Sequence, residues 1–179
     1  GIFEIEDAIR PDSAETISSL KSAGYNCVLV TGDKKEIADS LSKQLNIDHT
    51  HSEVLPDEKA NIVTSYQDQG FIVAMVGDGI NDAPAIAQAD VGIAMGSGTD
   101  IAMETGEIVL AHGDLKAVLR ATRLASATFN KIKQNLFWAF IYNIIAIPLA
   151  FAGVLHPVMA EVAMALSSIN VVRNSNRLK

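Results

Sequence analysis

The sequence predicts an α/β domain, a parallel sheet with flanking helices, followed by a long helix and a two-helix transmembrane hairpin. In the first 113 residues, short apolar runs alternate with helix-like segments, which is typical of a parallel sheet covered by helices. A charge-free run of 20 residues, Leu136 to Leu155, is long enough to cross a bilayer core of about 30 Å. The two parts also differ in charge: residues 1–112 carry 6 Lys and Arg against 19 Asp and Glu, and residues 113–179 carry 8 against 2. We therefore expect a domain over 1–113, a stalk helix over 114–135, and a membrane hairpin with a C-terminal tail over 136–179.

The helices and strands of the acidic part are predicted from the spacing of its apolar residues and from the residues that start and stop helices. Pro11 and Asp12 precede the first helix, and Gly24 is its stop signal. Apolar runs of strand length are separated by segments with helical spacing. The predicted helices are Ser13–Ala23, Lys34–Leu45 and Asp57–Gln69, and the predicted strands are Cys27–Val30, Phe71–Val76, Val91–Met95 and Ile108–Ala111.

The basic part predicts a membrane hairpin whose two ends lie on the same side. After a turn at His156-Pro157, a second, shorter apolar run extends to Arg173, with Glu161 as its one acidic residue. The turn carries no Lys or Arg. Basic residues flank the two spans instead: Lys131, Lys133, Arg173, Arg177 and Lys179. By the positive-inside rule, the soluble part and both hairpin ends are cytoplasmic. The alternative is a helical hairpin buried in a soluble core.

Two further features concern the cellular setting. Cys27 is the single cysteine, so a disulfide within the chain is excluded, which suits a cytosolic domain. The chain begins with Gly1 rather than Met, and we expect it to be a piece of a longer protein.

Polar residues follow the predicted strands where a ligand site is expected. In open α/β sheets, ligands bind beyond the carboxyl ends of the strands. The candidates are Thr31-Gly32-Asp33 after one strand, Lys59 at a helix start, and Gly77-Asp78-Gly79-Ile80-Asn81-Asp82 after another. The carboxylates of Asp78 and Asp82 are hard oxygen ligands suited to Mg²⁺, and Lys59 could neutralise charge on a phosphoryl group. These residues therefore indicate phosphoryl transfer, with Thr31 as a hydroxyl donor to a phosphoryl oxygen.

Each of these residues also has a purely structural interpretation. Asn81 or Asp82 could cap a helix, Thr31-Gly32-Asp33 could form only a turn, and Lys59 could be a solvated surface charge. The combination, in this order and at these positions, favours the catalytic interpretation.

The motifs "VTGD", "PDEK" and "MVGDGINDAPAIAQADVGIAM" resemble those of the haloacid-dehalogenase-like phosphorylation domain of P-type ATPases. The whole chain resembles the C-terminal portion of a heavy-metal P-type ATPase, most closely the copper-transporting kind. The resemblance implies that Asp78 binds Mg²⁺, that Asn81 and Asp82 order the site, and that Thr31 and Lys59 contact the aspartyl phosphate. It also implies ATP as the substrate of the parent enzyme, a cell-membrane location, lipid contact and a copper chaperone as partner. No nucleic acid partner is expected.

One departure from the family pattern limits what this chain can do by itself. The family's nucleophile is the aspartate of a D-K-T-G-T motif, and no such string occurs in these 179 residues. Asp33 does not replace it, because "TGDKK" matches the second, hydroxyl-bearing motif. The family's nucleotide-binding and metal-binding domains are likewise outside this sequence. We therefore expect this chain alone to be inactive, with the N-terminal half of the same pump as its partner.

The transported ion is predicted from polar side chains in the two spans, where such residues are costly and become site candidates. Met164 and Ser168 are four apart on one helix face, and a thioether is a soft ligand suited to Cu(I). The pairs Tyr142-Asn143 and Met164…Ser168 are similar to the "YN" and "MxxxS" of copper pumps. The candidate Cu⁺ ligands are therefore Tyr142, Asn143, Met164 and Ser168, with Zn, Cd, Co or Ag as alternative metals.

Two functions of other classes remain as alternatives. A soluble haloacid-dehalogenase-type phosphatase would share the catalytic motifs but has no need of the membrane pair. An accessory membrane protein would tolerate the missing nucleophile but has no need of an intact Mg²⁺ motif.

Overall fold

The computed structural model describes residues 9–96, 104–110, 114–153 and 157–177. The chain divides into two compact units, Gly1–Arg120 and Ala121–Lys179. Each unit is built from the kind of element that the sequence predicts for it: strands and helices in the first, helices in the second.

The first unit is an α/β domain with parallel strands, as predicted. Its helices are α1 (Ser13–Ser22), α2 (Lys35–Leu45), α3 (Pro56–Asp68) and α4 (Ala83–Gln88). Its strands are β1 (Val28–Val30), β2 (His49–His51), β3 (Ala74–Gly77), β4 (Val91–Met95) and β5 (Ile108–Leu110). A short 3₁₀ turn, Ile80–Asp82, leads into α4.

The strands form two separate parallel sheets among the described residues. In one, β1 pairs with β2, and Leu29 lies opposite Thr50. In the other, β4 lies between β3 and β5, and Ile93 has Val76 and Ile108 as neighbours. The carboxyl ends of β3, β4 and β5 therefore share one edge of their sheet.

Two sequence-based assignments differ from the structure. Strand β2 was not predicted, because "HTH" has no apolar alternation. Strand β3 begins at Ala74 instead of Phe71, since the side chains of Phe71 and Ile72 are 49% and 86% exposed. The predicted last residue of β5, Ala111, lies outside the described residues.

The core of the first unit is centred on α4 and β4. Ala85 and Ile86 of α4 and Ile93 and Ala94 of β4 are almost fully buried. Gly92 permits this contact, because a Cβ at that position would lie 2.7 Å from the backbone oxygen of Ile86. This close packing anchors the segment that begins in the loop after β3.

The basic half of the chain contains two long helices, α5 (Leu115–Phe151) and α6 (Pro157–Ser175). Helix α5 starts after Asp114, whose Oδ1 accepts a hydrogen bond from the Ala117 N–H at 2.8 Å. The predicted stalk and first span thus form one continuous helix, which passes through Pro148 without ending. In the described part of the chain, α5 is the one helix long and apolar enough to cross a membrane. The end of the predicted first span, residues 154 and 155, and His156 of the predicted turn lie outside the described residues.

Within the second unit, α5 and α6 run antiparallel and are joined by side-chain hydrogen bonds. Lys131 Nζ donates to Asn174 Oδ1 at 3.0 Å, and Asn174 Nδ2 donates to Asn135 Oδ1 at 2.8 Å. Further along, Asn170 Nδ2 donates to the Tyr142 hydroxyl oxygen at 3.0 Å. These bonds link α5 to α6 at two levels of the helical hairpin.

Candidate functional site

The loop between β3 and α4 brings Asp82 back towards the end of β3. Asp82 Oδ2 accepts the N–H of Gly79 at 3.3 Å, which closes the 3₁₀ turn. A Cβ at Gly77 would lie 2.6 Å from the Cβ of Asp82, so only glycine fits beneath that side chain. Neither Gly77 nor Gly79 has a positive φ, so neither is needed here for a left-handed backbone conformation. Gly77 is required for the close approach of Asp82 instead.

Lys59 reaches Asp82 from the first turn of α3. Its Nζ lies 2.6 Å from Asp82 Oδ1, and the two side chains are only 16% and 13% exposed. The interpretation of Lys59 as a solvated surface charge is therefore wrong. Helix α3 begins with Pro56, and Glu58 Oε2 accepts the N–H of Leu55 at 3.0 Å, which fixes the turn that carries Lys59. A helix start and the loop after β3 thus hold one ion pair.

Asp78 differs from Asp82 in its surroundings. It follows β3 directly, its side chain is exposed, and no hydrogen bond or ion pair to its carboxylate occurs among the described residues. Asp78 precedes the 3₁₀ turn, so the two aspartates do not share a helix face. Asn81 is exposed within the turn, and Asp82 makes no side-chain cap of α4.

The residues present suit a Mg²⁺ site in which the protein supplies only a few of the ligands. Mg²⁺ commonly takes one or two carboxylates together with water and substrate phosphate oxygens. The carboxylate of Asp78 is accessible, whereas both oxygens of Asp82 already accept hydrogen bonds. No group of three or more His, Cys, Asp or Glu side chains that could hold a metal occurs in the described ranges.

Thr31, Gly32 and Asp33 form a tight turn after β1. The Thr31 hydroxyl donates to Asp33 Oδ2 at 2.7 Å and accepts from the Asp33 N–H at 3.1 Å. The Thr31 N–H donates to the carbonyl of His51, which ties the turn to β2. A phosphoryl oxygen would have to displace Asp33 to receive the Thr31 proton. Between this turn and Lys59, Asp78 or Asp82, the described structure contains no hydrogen bond or ion pair.

The predicted metal ligands of the second unit do not converge in the hairpin. Asn143 Nδ2 donates to the Ala139 carbonyl at 3.2 Å, and Ser168 Oγ donates to the Met164 carbonyl at 3.1 Å, each within its own helix. The Met164 side chain is 69% exposed. The reason is geometric: consecutive residues of an α-helix point about 100° apart, so Tyr142 and Asn143 cannot both face α6.

Sequence reasoning missed one polar residue of this region, Asn170. It is half-buried and binds the hydroxyl of Tyr142 across the hairpin. Its position inside a predicted span was the available signal, since polar residues there are site candidates by default.

A family model of haloacid dehalogenase-like hydrolases matches residues 1–90. The chain therefore belongs to the haloacid dehalogenase-like hydrolase family, as the motifs after β1 and β3 predicted. Within it, the predicted resemblance to heavy-metal P-type ATPases is confirmed over nearly the whole length of the chain.

Three similar proteins illustrate this relationship. The chain is 48% identical to a copper-exporting P-type ATPase of Legionella pneumophila, covering 99% of this chain and 25% of that protein. It is 52% identical to a probable copper-importing P-type ATPase A of Enterococcus hirae, covering 98% and 24%. A crystal structure of a zinc-transporting PIB-type ATPase in the E2.Pi state matches with a TM-score of 0.90 and 37% identity, covering 97% of this chain and 28% of that one. The chain thus spans about a quarter of the length of the curated relatives it matches.

Proposed function

We propose that this chain is part of an ATP-driven pump that exports Cu(I) through an aspartyl-phosphate intermediate. The observation that carries the proposal is the largely buried Lys59–Asp82 ion pair, which lies at the same loop as the accessible carboxylate of Asp78, at the carboxyl end of a parallel strand. A cation and an accessible carboxylate held at one loop are suited to a phosphoryl group accompanied by Mg²⁺. The similarity to copper-transporting P-type ATPases supports the same chemistry.

The residues of the first unit have distinct roles in this proposal. Asp78 holds Mg²⁺, which when bound neutralises charge on phosphate oxygens. Asp82 holds the Lys59 ammonium in place, and Lys59 offsets charge on the transferred phosphoryl group. Thr31 and Asp33 contact the phosphoryl group from the turn after β1, and Asn81 orders the loop.

The phosphorylated aspartate is supplied by a segment outside these 179 residues, which contain no D-K-T-G-T string. ATP binding also requires parts of the protein outside this sequence. The apolar helix α5 supports a location of the parent protein in the cell membrane, in contact with lipid. The basic residues at both ends of the hairpin support a cytoplasmic position for these ends and for the first unit. A copper chaperone is the proposed source of the ion.

A second candidate is a pump of the same class for Zn²⁺ or another borderline metal. The structural similarity to a zinc-transporting ATPase favours it, whereas the thioether of Met164 favours Cu(I). A soluble phosphatase is disfavoured by the long apolar helix α5. Transport direction is open to test as well, because one similar protein is named as an exporter and another as an importer.

The test uses the full-length protein that contains this chain, purified in detergent with ATP, Mg²⁺ and a reductant. We expect Cu(I) to stimulate ATP hydrolysis more strongly than Zn²⁺ and an acid-stable phosphoenzyme to form. Asp78→Asn should abolish the phosphoenzyme and leave Cu(I) binding intact, whereas Asp39→Asn, an exposed carboxylate on α2, should behave as wild type. Normal turnover of Asp78→Asn would show that this aspartate is only structural.

The isolated 179-residue chain provides a complementary test. Because it lacks the acceptor aspartate, it should form no acid-stable phosphoenzyme from ATP. An aspartyl phosphate detected on this chain would contradict our assignment of the nucleophile to another segment.

A further inference from the structure

The hydroxyl of Tyr142 is held from the opposite helix by an amide that the copper motif does not include. Asn170 Nδ2 donates to the Tyr142 oxygen at 3.0 Å, between positions 28 residues apart. We propose that Asn170 is a positioning residue, which orients the Tyr142 hydroxyl for the ion that passes through the membrane site. This inference rests on the proposed function, because it concerns the same site.

The burial pattern of α6 separates Asn170 from the two predicted ligands on its own helix. The half-buried positions recur at helical spacing and define the face that packs on α5: Ala163, Ser167, Asn170, Val171 and Asn174. Met164 and Ser168 are exposed and lie on another face. Since Ser168 and Asn170 are two residues apart, they point about 200° apart around the helix. Asn170 therefore acts on the α5 side of α6, where Tyr142 lies.

Tyr142 is the one predicted ligand whose polar atom is fixed by the opposite helix in the described structure. The side chains of Asn143 and Ser168 donate hydrogen bonds to backbone carbonyls of their own helices. Their orientation therefore does not depend on the opposite helix. The Tyr142 ring also lies near Trp138, one turn earlier, with ring centroids 6.4 Å apart. Trp138 limits the movement of the ring, and Asn170 fixes its hydroxyl end.

The direction of the hydrogen bond determines what Tyr142 can still do. Asn170 donates its amide N–H, so it occupies one acceptor position of the phenol oxygen and leaves the Tyr142 O–H and a second lone pair available. The amide itself needs such a partner, because an unpaired polar group in hydrocarbon is costly. Both requirements are met by the same contact.

Loss of the Asn170 amide should therefore weaken ion binding more than turnover. A hydrogen bond between membrane helices contributes modestly, which corresponds to an increase of about three- to tenfold in the Cu(I) concentration for half-maximal ATPase activity. The maximal rate should stay within about twofold, because phosphoryl transfer takes place in the other unit.

The experiment measures Cu(I)-stimulated ATPase activity of the full-length protein over a range of Cu(I) concentrations. Asn170→Leu replaces the amide with an apolar side chain of similar size, and Tyr142→Phe removes the oxygen that accepts its hydrogen bond. In a double-mutant cycle, Asn170→Leu should raise the half-maximal concentration in the wild-type background and have no further effect in Tyr142→Phe. Asn170→Gln, which retains an amide donor, should recover part of the affinity. If Asn170→Leu fails to fold, Asn170→Ala takes its place in the cycle.

Asn174→Leu is the matched control, since Asn174 lies four residues later on the same face and bonds Lys131 and Asn135 instead of Tyr142. It should lower the thermal stability without changing the half-maximal Cu(I) concentration. The inference is overturned if Asn170→Leu leaves that concentration unchanged, if its effect persists fully in Tyr142→Phe, or if Asn174→Leu shifts it equally. A full-length protein that no soft metal stimulates would overturn the proposed function, and this inference with it.

Discussion

Lys59 and Asp82 lie 23 positions apart in the sequence and are joined by a 2.6 Å ion pair between Nζ and Oδ1. The pair connects the first turn of α3 to the loop after β3, and both side chains are largely withdrawn from water. In this environment, either partner alone would be an uncompensated charge. The pair therefore positions a cation at the end of β3 and stabilises the loop that carries Asp78.

Removal of one partner of this pair should destabilise the domain. We expect Lys59→Met and Asp82→Asn each to reduce the free energy of unfolding by about 1–3 kcal/mol, because each leaves a partly buried charge without its counter-charge. The double variant should lose less than the sum of the two, measured by denaturant unfolding of the chain in detergent. Lys35→Met, at an exposed position on α2, should change the stability little. Strict additivity of the two single changes would contradict the coupling.

Gly77 and Gly79 should respond differently to the same substitution. Gly77→Ala places a methyl group 2.6 Å from the Asp82 Cβ, so the loop must shift, and we expect a loss of about 1–3 kcal/mol in stability. At Gly79, the nearest atom to an added Cβ is Asp82 Oδ2 at 3.6 Å, which is an ordinary contact. Gly79→Ala should therefore change the unfolding midpoint only slightly. Equal effects of the two variants would show that the approach of Asp82 does not depend on Gly77.

Met164→Leu tests the choice of metal. The change keeps an apolar side chain of similar volume and removes the sulfur, so it should weaken Cu(I) binding by about tenfold, taking one soft-ligand contact as about 1.4 kcal/mol. Folding should be unaffected, because the Met164 side chain is 69% exposed. Leu166→Met is the control, since it adds a thioether two positions away on the same helix and should not alter the affinity. Wild-type Cu(I) affinity in Met164→Leu would remove the copper assignment and leave the ATPase assignment in place.

Asp90 predicts a pH dependence of stability. The N–H of Val73 donates to Asp90 Oδ2 at 2.8 Å, and this bond, with a further one from Gln67, lowers the pKa of the Asp90 carboxyl. A lowered pKa in the folded state means that the stabilisation is complete above the pKa of the unfolded chain, about 3.9. It is lost as the pH falls through the lower pKa of the folded state. The stability difference between wild type and Asp90→Ala should therefore be largest near neutral pH and decrease in acid.

Asp90→Asn separates the charge from the hydrogen bond in this measurement. An asparagine oxygen can still accept from the Val73 N–H but does not titrate. The difference between Asp90→Asn and Asp90→Ala should stay constant across the same pH range. A wild-type advantage over Asp90→Ala that does not change between pH 7 and pH 2 would contradict the role of the carboxylate.

Several features of the fold could be predicted from local patterns. The helices α1, α2 and α3 and strand β4 lie within one or two residues of their predicted bounds. Helix caps, prolines and the spacing of apolar residues predict them well because these signals extend over only a few residues. The motifs around Thr31, Lys59 and Asp78 were identified because each follows a strand or opens a helix. The start of β3 was misplaced, since Phe71 and Ile72 are apolar residues that the fold leaves exposed.

Contacts between distant residues decided the rest. No local pattern shows that Asp82 faces Lys59 and Gly77 while Asp78 remains accessible, because this depends on how α3 packs beside the loop after β3. The same holds in the hairpin, where the register of two helices pairs Tyr142 with Asn170 and turns Met164 and Ser168 to another face. Periodicity assigns a residue to a face of its own helix, whereas the partner of that face is set by packing between elements that the sequence holds far apart.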